Sequence, residues 1–351
     1  MNRSISRIGA ATGAALLIIA LSAAPAFACG GLIGPNGAVN LLRTTTLAGY
    51  HDGNEHYITA FQFAGGGGAF GSLTPLPGIP SSVEKGGDWT LQRLIRETDP
   101  IPAFAADSAR ASAAGSAEEL MKVRIDALDV TVLRGGAAAV GQWATEHGFR
   151  LPPDAPEVLD FYAARSPIFL AAVFDADAVA ERGQGIGDGT PVHITIPTDN
   201  PWVPLRILAL GKTSAERVDA DVYLLNDRRP ALLPAPNGRN GLLLDHSAPA
   251  TESLLDDLRS DRGMEWVPRT GWLTKVSIDA EAPQLAFDLA IDASGPGAPS
   301  RVAAGLYLPG TTAAADQTMD VLRVVVGLAL TIGGIGGILL LVRRRPPLSI
   351  A

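Results

Sequence analysis

Short stretches of apolar and β-branched residues, separated by glycine and proline, make up most of the chain. Such stretches are typical of β-strands, and frequent Gly and Pro punctuation favours antiparallel sheet. The clearest case is a hairpin, in which two strands flank the turn sequence Asp52-Gly53-Asn54. The predicted strands cover residues 44–50, 55–63, 69–74, 123–133, 168–174, 192–196, 205–210, 218–225, 273–278, 285–291 and 302–308.

Four short helices are predicted by apolar residues at helical spacing. Asp88 and Thr251 are expected to cap the first and the last of them, Pro156 to open the third, and Gly148 to end the second. The inner faces of the four helices carry, in chain order, Leu91, Leu94 and Ile95; Val140 and Trp143; Leu159 and Tyr162; and Leu254, Leu255 and Leu258. The fold class expected is α+β, rich in antiparallel β-structure, with a few short helices.

One apolar stretch is much longer than the others. Residues 324–342 contain no charged side chain, and a helix of this length spans roughly 28 Å, close to the hydrocarbon thickness of a bilayer. Arg343, Arg344 and Arg345 follow it directly, which by the positive-inside rule keeps them in the cytoplasm. We therefore predict a C-terminal transmembrane helix over residues 321–342. The alternative is a buried core helix, but core helices rarely run this long without a polar face.

The N-terminus has the pattern of a secretory signal peptide. Arg3 and Arg7 precede an apolar run that ends in an A-x-A pattern at residue 28. Cleavage there would make Cys29 the first residue of the mature chain. Two interpretations of Cys29 stay open, namely lipidation as in bacterial lipoproteins and ordinary cleavage that leaves a free cysteine. Ala26, at the usual lipobox position of leucine, favours ordinary cleavage.

These two ends predict a single-pass type I protein of the cell membrane. The N-terminal domain lies outside the membrane, the C-terminus lies in the cytoplasm, and the lipid bilayer is a partner of the C-terminal helix. Gly333 and Gly337 form a G-x-x-x-G face that would let two such helices pack as a homodimer. The predicted segments are a signal peptide (1–28), an exported domain (29–291) with a possible subdivision near residue 135, a linker and membrane approach (292–320), the transmembrane helix (321–342) and a cytoplasmic tail (343–351).

The charge balance of the exported part excludes some partners. The chain has 28 basic and 36 acidic residues, but six of the basic residues lie in or beside the targeting and membrane segments. The exported part is left with 22 basic against 36 acidic residues, a net charge of about −14. We therefore expect no binding of nucleic acid through simple electrostatics.

Metal-binding chemistry has one candidate. Cys29 is the only cysteine, so neither an internal disulfide nor a cysteine-based metal site is possible. If Gly53-Asn54 is the two-residue hairpin loop, His51 faces His56 and the two imidazoles could share a metal ion. If the loop is Asp52-Gly53, the two histidines fall out of register. No third ligand is indicated by spacing, and no cofactor is expected.

Several short motifs occur in a recognisable order. They are Cys29-Gly30-Gly31, His51-Asp52-Gly53, Phe70-Gly71, Pro75-Leu76-Pro77, Val130-Thr131-Val132-Leu133, Trp143, Gly148-Phe149 and Pro201-Trp202-Val203-Pro204-Leu205-Arg206. In this order they resemble the exported bacterial family named domain of unknown function 2330, over about residues 29–291. The resemblance implies an envelope-exposed domain of unassigned activity and brings no catalytic residues. Ser72 stands where that family commonly has an aromatic residue.

The function expected from the sequence is a non-enzymatic binding or assembly module of the cell envelope, with a membrane or envelope protein as partner. Five scattered histidines, one cysteine and no positioned pair of nucleophile and base leave little for catalysis. The alternative is an envelope hydrolase that uses carboxylates, since carboxylates converge only in the fold and spacing does not reveal them.

Overall fold

The structure is a computed structural model of the full chain. It describes residues 31–35, 37–38, 44–61, 70–99, 119–125, 128–174, 190–292 and 299–306. Its elements form three sheets and four short α-helices within these residues.

The first sheet has six strands and is antiparallel throughout. Its spatial order is β2-β1-β5-β9-β8-β7. The strands are β1 (Gly31–Gly34), β2 (Gly37–Ala38), β5 (Phe70–Leu76), β7 (Glu119–Ile125), β8 (Leu128–Arg134) and β9 (Ile168–Phe174).

The second sheet has seven strands in the order β14-β15-β12-β3-β4-β10-β6. All neighbours are antiparallel except β3 and β12, which run parallel. The strands are β3 (Thr44–His51), β4 (Asn54–Phe61), β6 (Ser82–Lys85), β10 (Thr190–Pro197), β12 (Arg217–Asn226), β14 (Leu242–Pro249) and β15 (Trp272–Glu281).

A third, small sheet has the order β11-β16-β13. Its strands are β11 (Trp202–Val203), β13 (Ala231–Leu233) and β16 (Leu289–Asp292). The helices are α1 (Thr90–Thr98), α2 (Ala137–Glu146), α3 (Ala155–Ala163) and α4 (Glu252–Ser260). Two 3₁₀ turns cover Arg206–Ala209 and Ala282–Gln284.

Both faces of the seven-stranded sheet are buried at its central strands. Its strands β4 and β12 contribute to two hydrophobic clusters, because successive residues of a strand point to opposite faces. Tyr57 and Val222 belong to the larger cluster, which also takes in strands of the six-stranded sheet, the small sheet, α2 and α3. Ile58 and Tyr223 belong to the smaller cluster, which helices α1 and α4 cover.

A buried ion pair ties the small sheet to α3 and to the 3₁₀ turn that begins at Arg206. Asp288 directly precedes β16, is fully buried, and pairs with Arg165, whose side chain is 2% exposed. Asp288 also accepts hydrogen bonds from the Tyr162 hydroxyl (2.9 Å) and from the backbone N–H groups of Leu205 (2.6 Å) and Arg206 (2.9 Å). These donors compensate for the cost of burying the carboxylate.

The antiparallel-β-rich fold with four short helices agrees with the expectation from sequence. Four predicted strands differ from the structure. Of the stretch 285–291, only residues 289–291 are strand, as part of β16. The stretch 123–133 is the end of β7 and most of β8, joined as a hairpin. The stretch 205–210 is mainly a 3₁₀ turn, because the buried Asp288 binds successive backbone N–H groups there. Over 302–306 the chain forms turns.

The capping of α1 also differs from the prediction. Asp88 makes no cap, because the carboxylate of Asp261 occupies that role from a distant part of the chain. Asp261 accepts hydrogen bonds from the backbone N–H groups of Asp88 and Trp89, both at 3.0 Å, and from the Thr90 hydroxyl at 2.8 Å. Thr251 caps α4 as predicted, accepting from Leu254 N–H at 3.2 Å.

Among the helices that the structure describes, none is long and apolar enough to span a bilayer. The predicted transmembrane segment 321–342 and the tail 343–351 lie outside the described residues, as does the signal peptide 1–28.

We predict that Asp288→Asn lowers the free energy of unfolding by about 3–5 kcal/mol, because the buried Arg165 would lose its counter-ion. Urea unfolding of the purified chain, followed by tryptophan fluorescence, measures this. Asp279→Asn is the matched control, since the Asp279 side chain is 72% exposed in its pair with Arg217 and this substitution should have little effect on stability. Equal costs for the two variants would contradict a structural role for the buried pair.

Candidate functional site

The β3–β4 hairpin fixes where the candidate histidines lie. It turns through Asp52-Gly53, whose φ angles of 47° and 77° are typical of a type I′ turn. This register pairs His51 with Asn54 and places His56 opposite Gly49. Of the two registers compatible with the sequence, the structure has the one in which the two histidines are not cross-strand partners.

The two histidines have other neighbours. His51 Nδ1 lies 2.7 Å from the Asp227 carboxylate, near the surface. His56 Nδ1 lies 3.0 Å from Nε2 of His193, in the interior. Across the described ranges, no three His, Cys, Asp or Glu side chains are grouped so that they could hold a metal ion. The geometry therefore does not bring His51 and His56 to a common metal.

The His56–His193 pair is enclosed on the helix-covered side of the seven-stranded sheet. His56 and His193 are 8% and 6% exposed. The indole of Trp266 stacks on the His56 ring, with 4.0 Å between centroids and 1° between planes. Gly49 makes this stack possible, because a Cβ at that position would lie 2.1 Å from the indole.

The His56–His193 pair is neutral near pH 7. Burial is the main cause that lowers the pKa of His56 to about 3, and the charges of His193 and His51 contribute in the same direction. Burial also lowers the pKa of His193 to about 4, against the opposing effects of Glu84 and Glu265. His56 Nδ1 and His193 Nε2 share one proton, because two N–H groups that faced each other could not form a hydrogen bond.

Glu55 lies on the opposite face of β4, toward the larger hydrophobic cluster. It is fully buried, which raises the pKa of its carboxyl to about 8, although a hydrogen bond from Trp202 N–H (3.3 Å) acts in the other direction. Its Oε1 atom has no hydrogen-bond partner among the residues that the structure describes. A carboxyl of this kind is protonated at pH 7 and can donate or accept a hydrogen bond.

A cleft of about 420 Å³ opens between the edges of two sheets. One wall is formed by two residues of β13 and by residues on either side of that strand, namely Arg229, Pro230, Ala231, Leu232, Ala235 and Pro236. The other wall is the end strand β14, through Leu244 and Ser247, and Thr274 of the neighbouring β15 contributes beside it. We call this feature the edge cleft. Its walls are mostly apolar, as is usual for a binding site in a protein.

Three polar side chains give the edge cleft its chemistry. Thr274 is 1% exposed, and its hydroxyl has no hydrogen-bond partner in the part of the chain that the structure describes. The Ser247 hydroxyl accepts a hydrogen bond from the Trp272 indole at 2.9 Å. Arg229 is exposed. The arrangement offers one cation and two hydroxyl groups to a ligand.

A row of polar side chains continues from the edge cleft into the sheet. Asn226 is the cross-strand partner of Trp272 in β15 and of Tyr50 in β3, and Tyr50 is in turn the partner of Glu55 in β4. Cross-strand partners point to the same face. Asn226 is fully buried, and within the described ranges neither polar atom of its amide has a partner.

The remaining site residues predicted from sequence lie outside the described residues. They are the lipidation candidate Cys29, the topology residues Arg343, Arg344 and Arg345, and the helix-packing residues Gly333 and Gly337. Sequence reasoning missed His193, Glu55 and the edge cleft. Alternation along β4 and β10 indicates which face each side chain takes, but no local signal pairs His56 with a residue of a strand more than a hundred positions away.

Comparison with protein families places the chain in a bacterial family. A family model described as an uncharacterized protein conserved in bacteria (DUF2330) matches residues 23–232, more than half of the chain. Strands β14 and β15, which form one side of the edge cleft, lie beyond the matched residues. No curated protein matches the chain.

Comparison with solved structures finds baculovirus P35. A mutated P35 after caspase cleavage is 8% identical, with a TM-score of 0.37, and the alignment covers 71% of this chain and 96% of that chain. Another P35 structure is 9% identical, with a TM-score of 0.35, and covers 70% of this chain and 92% of that chain. At these scores the similarity supports no inference about fold or function.

We predict that the chain loses stability as the pH falls from about 6.5 toward 4, because His56 and His193 take up protons in the unfolded chain before they do so in the fold. The folded pKa values are lowered, so the free energy of unfolding decreases with falling pH across this window. Urea unfolding at several pH values should show a shallower decrease in the double variant His56→Gln/His193→Gln.

Thr195→Val is the matched control for the histidine variants, because Thr195 contacts His193 Nε2 at 3.5 Å and does not titrate. It should retain the full pH dependence of the unmodified chain. If the unmodified chain and the double histidine variant have the same slope, the pair does not remain neutral in the fold.

We predict the opposite pH dependence for Glu55. Its folded pKa of about 8 lies above the ordinary value of 4.5, so its contribution to stability falls as the pH rises from about 4.5 to 8. Glu55→Gln should therefore raise the free energy of unfolding at pH 8 by on the order of 3 kcal/mol, with little effect at pH 4.5. Glu216→Gln is the control. Hydrogen bonds from Thr213 lower the pKa of Glu216, so this substitution should not raise the free energy of unfolding at pH 8. A destabilising effect of Glu55→Gln at pH 8 would contradict the protonated state.

Proposed function

We propose that this chain, which belongs to the DUF2330 family of uncharacterized bacterial proteins, is a non-enzymatic binding module held at the cell membrane. The edge cleft is the observation that carries the proposal. It combines an apolar lining, an exposed Arg229 and the buried Thr274 hydroxyl, whose hydrogen-bonding capacity is unused within the described ranges. Such a surface suits the capture of a ligand.

The edge cleft contains little that could perform catalysis. The residues lining it include one arginine and the hydroxyl-bearing residues Ser247 and Thr274, but neither a histidine nor a carboxylate. A serine without a base at hydrogen-bond distance is a poor nucleophile. The Ser247 hydroxyl is engaged by the Trp272 indole.

The alternative of a carboxylate-dependent hydrolase has one observation in its favour, the raised pKa of Glu55. A general acid must be able to reach its substrate. Glu55 is fully buried, and its carboxyl accepts a hydrogen bond from the backbone N–H of Trp202. The edge cleft is lined by other residues. A binding function therefore fits the described geometry better than hydrolysis.

The cellular placement that we propose follows from the ends of the chain. The signal peptide 1–28 directs export, the helix 321–342 anchors the chain in the cell membrane, and Arg343, Arg344 and Arg345 hold the tail in the cytoplasm. The module is thus exposed at the envelope, where a membrane or envelope protein is the partner that we propose. Homodimerisation through Gly333 and Gly337 would bring two modules together.

We expect a photo-crosslinking amino acid at position 244 of the full chain to trap a discrete partner in living cells, because Leu244 lines the edge cleft and is 39% exposed. The same amino acid at position 79 is the matched control, since Ile79 is an exposed apolar residue (48%) that does not line the edge cleft. The crosslinked chain should sediment with the membrane fraction and need detergent for release.

Two results would count against the proposed function. Equal crosslinking at positions 244 and 79 would show that the edge cleft is not a preferred binding surface. Release of the full chain from membranes by alkaline carbonate would contradict a spanning helix at residues 321–342. A variant with an unrelated membrane helix in place of that segment separates a partner of the exported domain from a partner of the helix.

A further inference from the structure

The edge cleft is closed at one end by the chain itself. Its two walls, β13 and β14, are joined by residues 234–241. Within that segment, Asn237 forms a bridge to Leu243, and Gly238 N–H donates to the Leu242 carbonyl at 2.7 Å. The outer edge of β14 is therefore already paired there, so it is the side chains of the edge cleft that are available to a ligand.

The apolar part of the edge cleft lies near this closed end. In β14, Leu244 follows the bridge residue Leu243, and its side chain is 39% exposed. On the other wall, Ala235 and Pro236 are the two residues before Asn237. None of these three lining side chains carries a hydrogen-bonding group, so the closed end favours an apolar group of a ligand.

The polar part of the edge cleft lies at the open end. Ser247 is the last residue of β14 that lines the cleft, and Arg229 is the first residue of the opposite wall. Both therefore lie farther along their walls from the bridge between Asn237 and Leu243 than the apolar residues do. The edge cleft thus has an apolar closed end and a polar open end.

The open end favours an anion. Among the described residues that line the edge cleft, none is acidic, although the exported part has a net charge of about −14. Arg229 is exposed and forms no ion pair with any residue that the structure describes. The Ser247 hydroxyl accepts from the Trp272 indole at 2.9 Å, so its own O–H remains a donor. A guanidinium and a hydroxyl donor together suit a carboxylate.

The size and shape of the edge cleft limit the ligand to a small molecule or the end of a chain. Its volume of about 420 Å³ lies toward the lower end of the roughly 300–1,000 Å³ of ligand pockets. The bridge at Asn237 closes one end, so a polypeptide that enters the edge cleft has to stop there. The last residue of a polypeptide can offer an apolar side chain to the closed end and a carboxylate to the open end.

We propose that the edge cleft captures the free C-terminus of another polypeptide. The apolar side chain of its last residue contacts Leu244 and the wall opposite, and its terminal carboxylate pairs with Arg229 and accepts a hydrogen bond from the Ser247 hydroxyl. This inference rests on the proposed binding function and names the part of the partner protein that is bound. Capture of a terminal carboxylate is one of the recurring modes of peptide recognition.

The test begins with selection from a displayed library of peptides with random, free C-termini, on the full chain in detergent micelles. We expect enrichment of apolar residues at the last position. A fluorescent synthetic copy of the most enriched peptide then serves as the probe in fluorescence anisotropy. Amidation of its C-terminus removes the negative charge and should weaken binding about tenfold or more.

A double-mutant cycle assigns the carboxylate to Arg229. Arg229→Gln should also weaken binding of the free-acid probe about tenfold or more, whereas the amidated probe should bind this variant and the unmodified chain equally. Loss of structure would instead weaken the binding of both probes. Arg228→Gln is the matched control, because Arg228 is the exposed neighbour of Arg229 and does not line the edge cleft. It should leave the affinity nearly unchanged.

A second pair of variants tests the closed end. Leu244→Ser should reduce, by several-fold, the preference for a large apolar last residue over alanine, because it removes apolar surface that this residue contacts. Leu243→Ser is its control, since the Leu243 side chain is 54% exposed and does not line the edge cleft. This control should keep the preference of the unmodified chain.

Several results would overturn this inference. They are a library that shows no preference at the last position, equal affinity for the free-acid and amidated probes, and an affinity that is indifferent to Arg229→Gln. Full affinity for the N-acetylated last residue alone would overturn it as well, because the ligand would then be a small carboxylic acid. If any of these results accompanied a discrete partner trapped at position 244, the binding module would stand and only the C-terminus as its ligand would be removed.

Discussion

The buried pair of Asp288 and Arg165 is the interaction on which the arrangement of the sheets depends. Asp288 directly precedes β16, and its carboxylate accepts hydrogen bonds from the Tyr162 hydroxyl of α3 and from the Leu205 backbone N–H before the 3₁₀ turn. One charged group therefore joins segments from three distant parts of the chain. Because β16 pairs with β13, the same pair holds the β13 wall of the edge cleft in place over the seven-stranded sheet.

The seven-stranded sheet separates two kinds of buried titratable group. On its helix-covered face, His56 and His193 share a proton beneath Trp266 and resist further protonation. On its other face, Glu55 keeps its proton up to about pH 8. Glu55 and His56 are adjacent in β4, so alternation places their side chains on opposite faces of the sheet. Burial disfavours the charged form of each, so the two residues change the stability of the fold in opposite directions as the pH rises. The free energy of unfolding is therefore expected to be greatest at an intermediate pH.

The edge cleft joins the architecture to the proposed function. Proteins usually protect the edge of a sheet with charge, bulges, proline or a covering segment. Along β14, the segment around Asn237 pairs with Leu243, a bulge follows at Asp245, and the strand ends at Pro249. The side chains of Leu243 and Leu244 nevertheless remain 54% and 39% exposed. Exposed apolar side chains on a protected edge are consistent with a binding surface.

The sequence by itself determined the local elements: the β3–β4 hairpin with its two possible registers, the Thr251 cap, the helix inner faces and the family resemblance. These follow from composition and periodicity within a few residues. Only the tertiary structure decided what distant residues do together. It made residues 205–210 mainly a 3₁₀ turn through Asp288, gave the cap of α1 to Asp261, and brought His193 to His56. Such contacts depend on strand order and register, which the local sequence pattern does not encode. The edge cleft likewise exists only because two sheets end side by side.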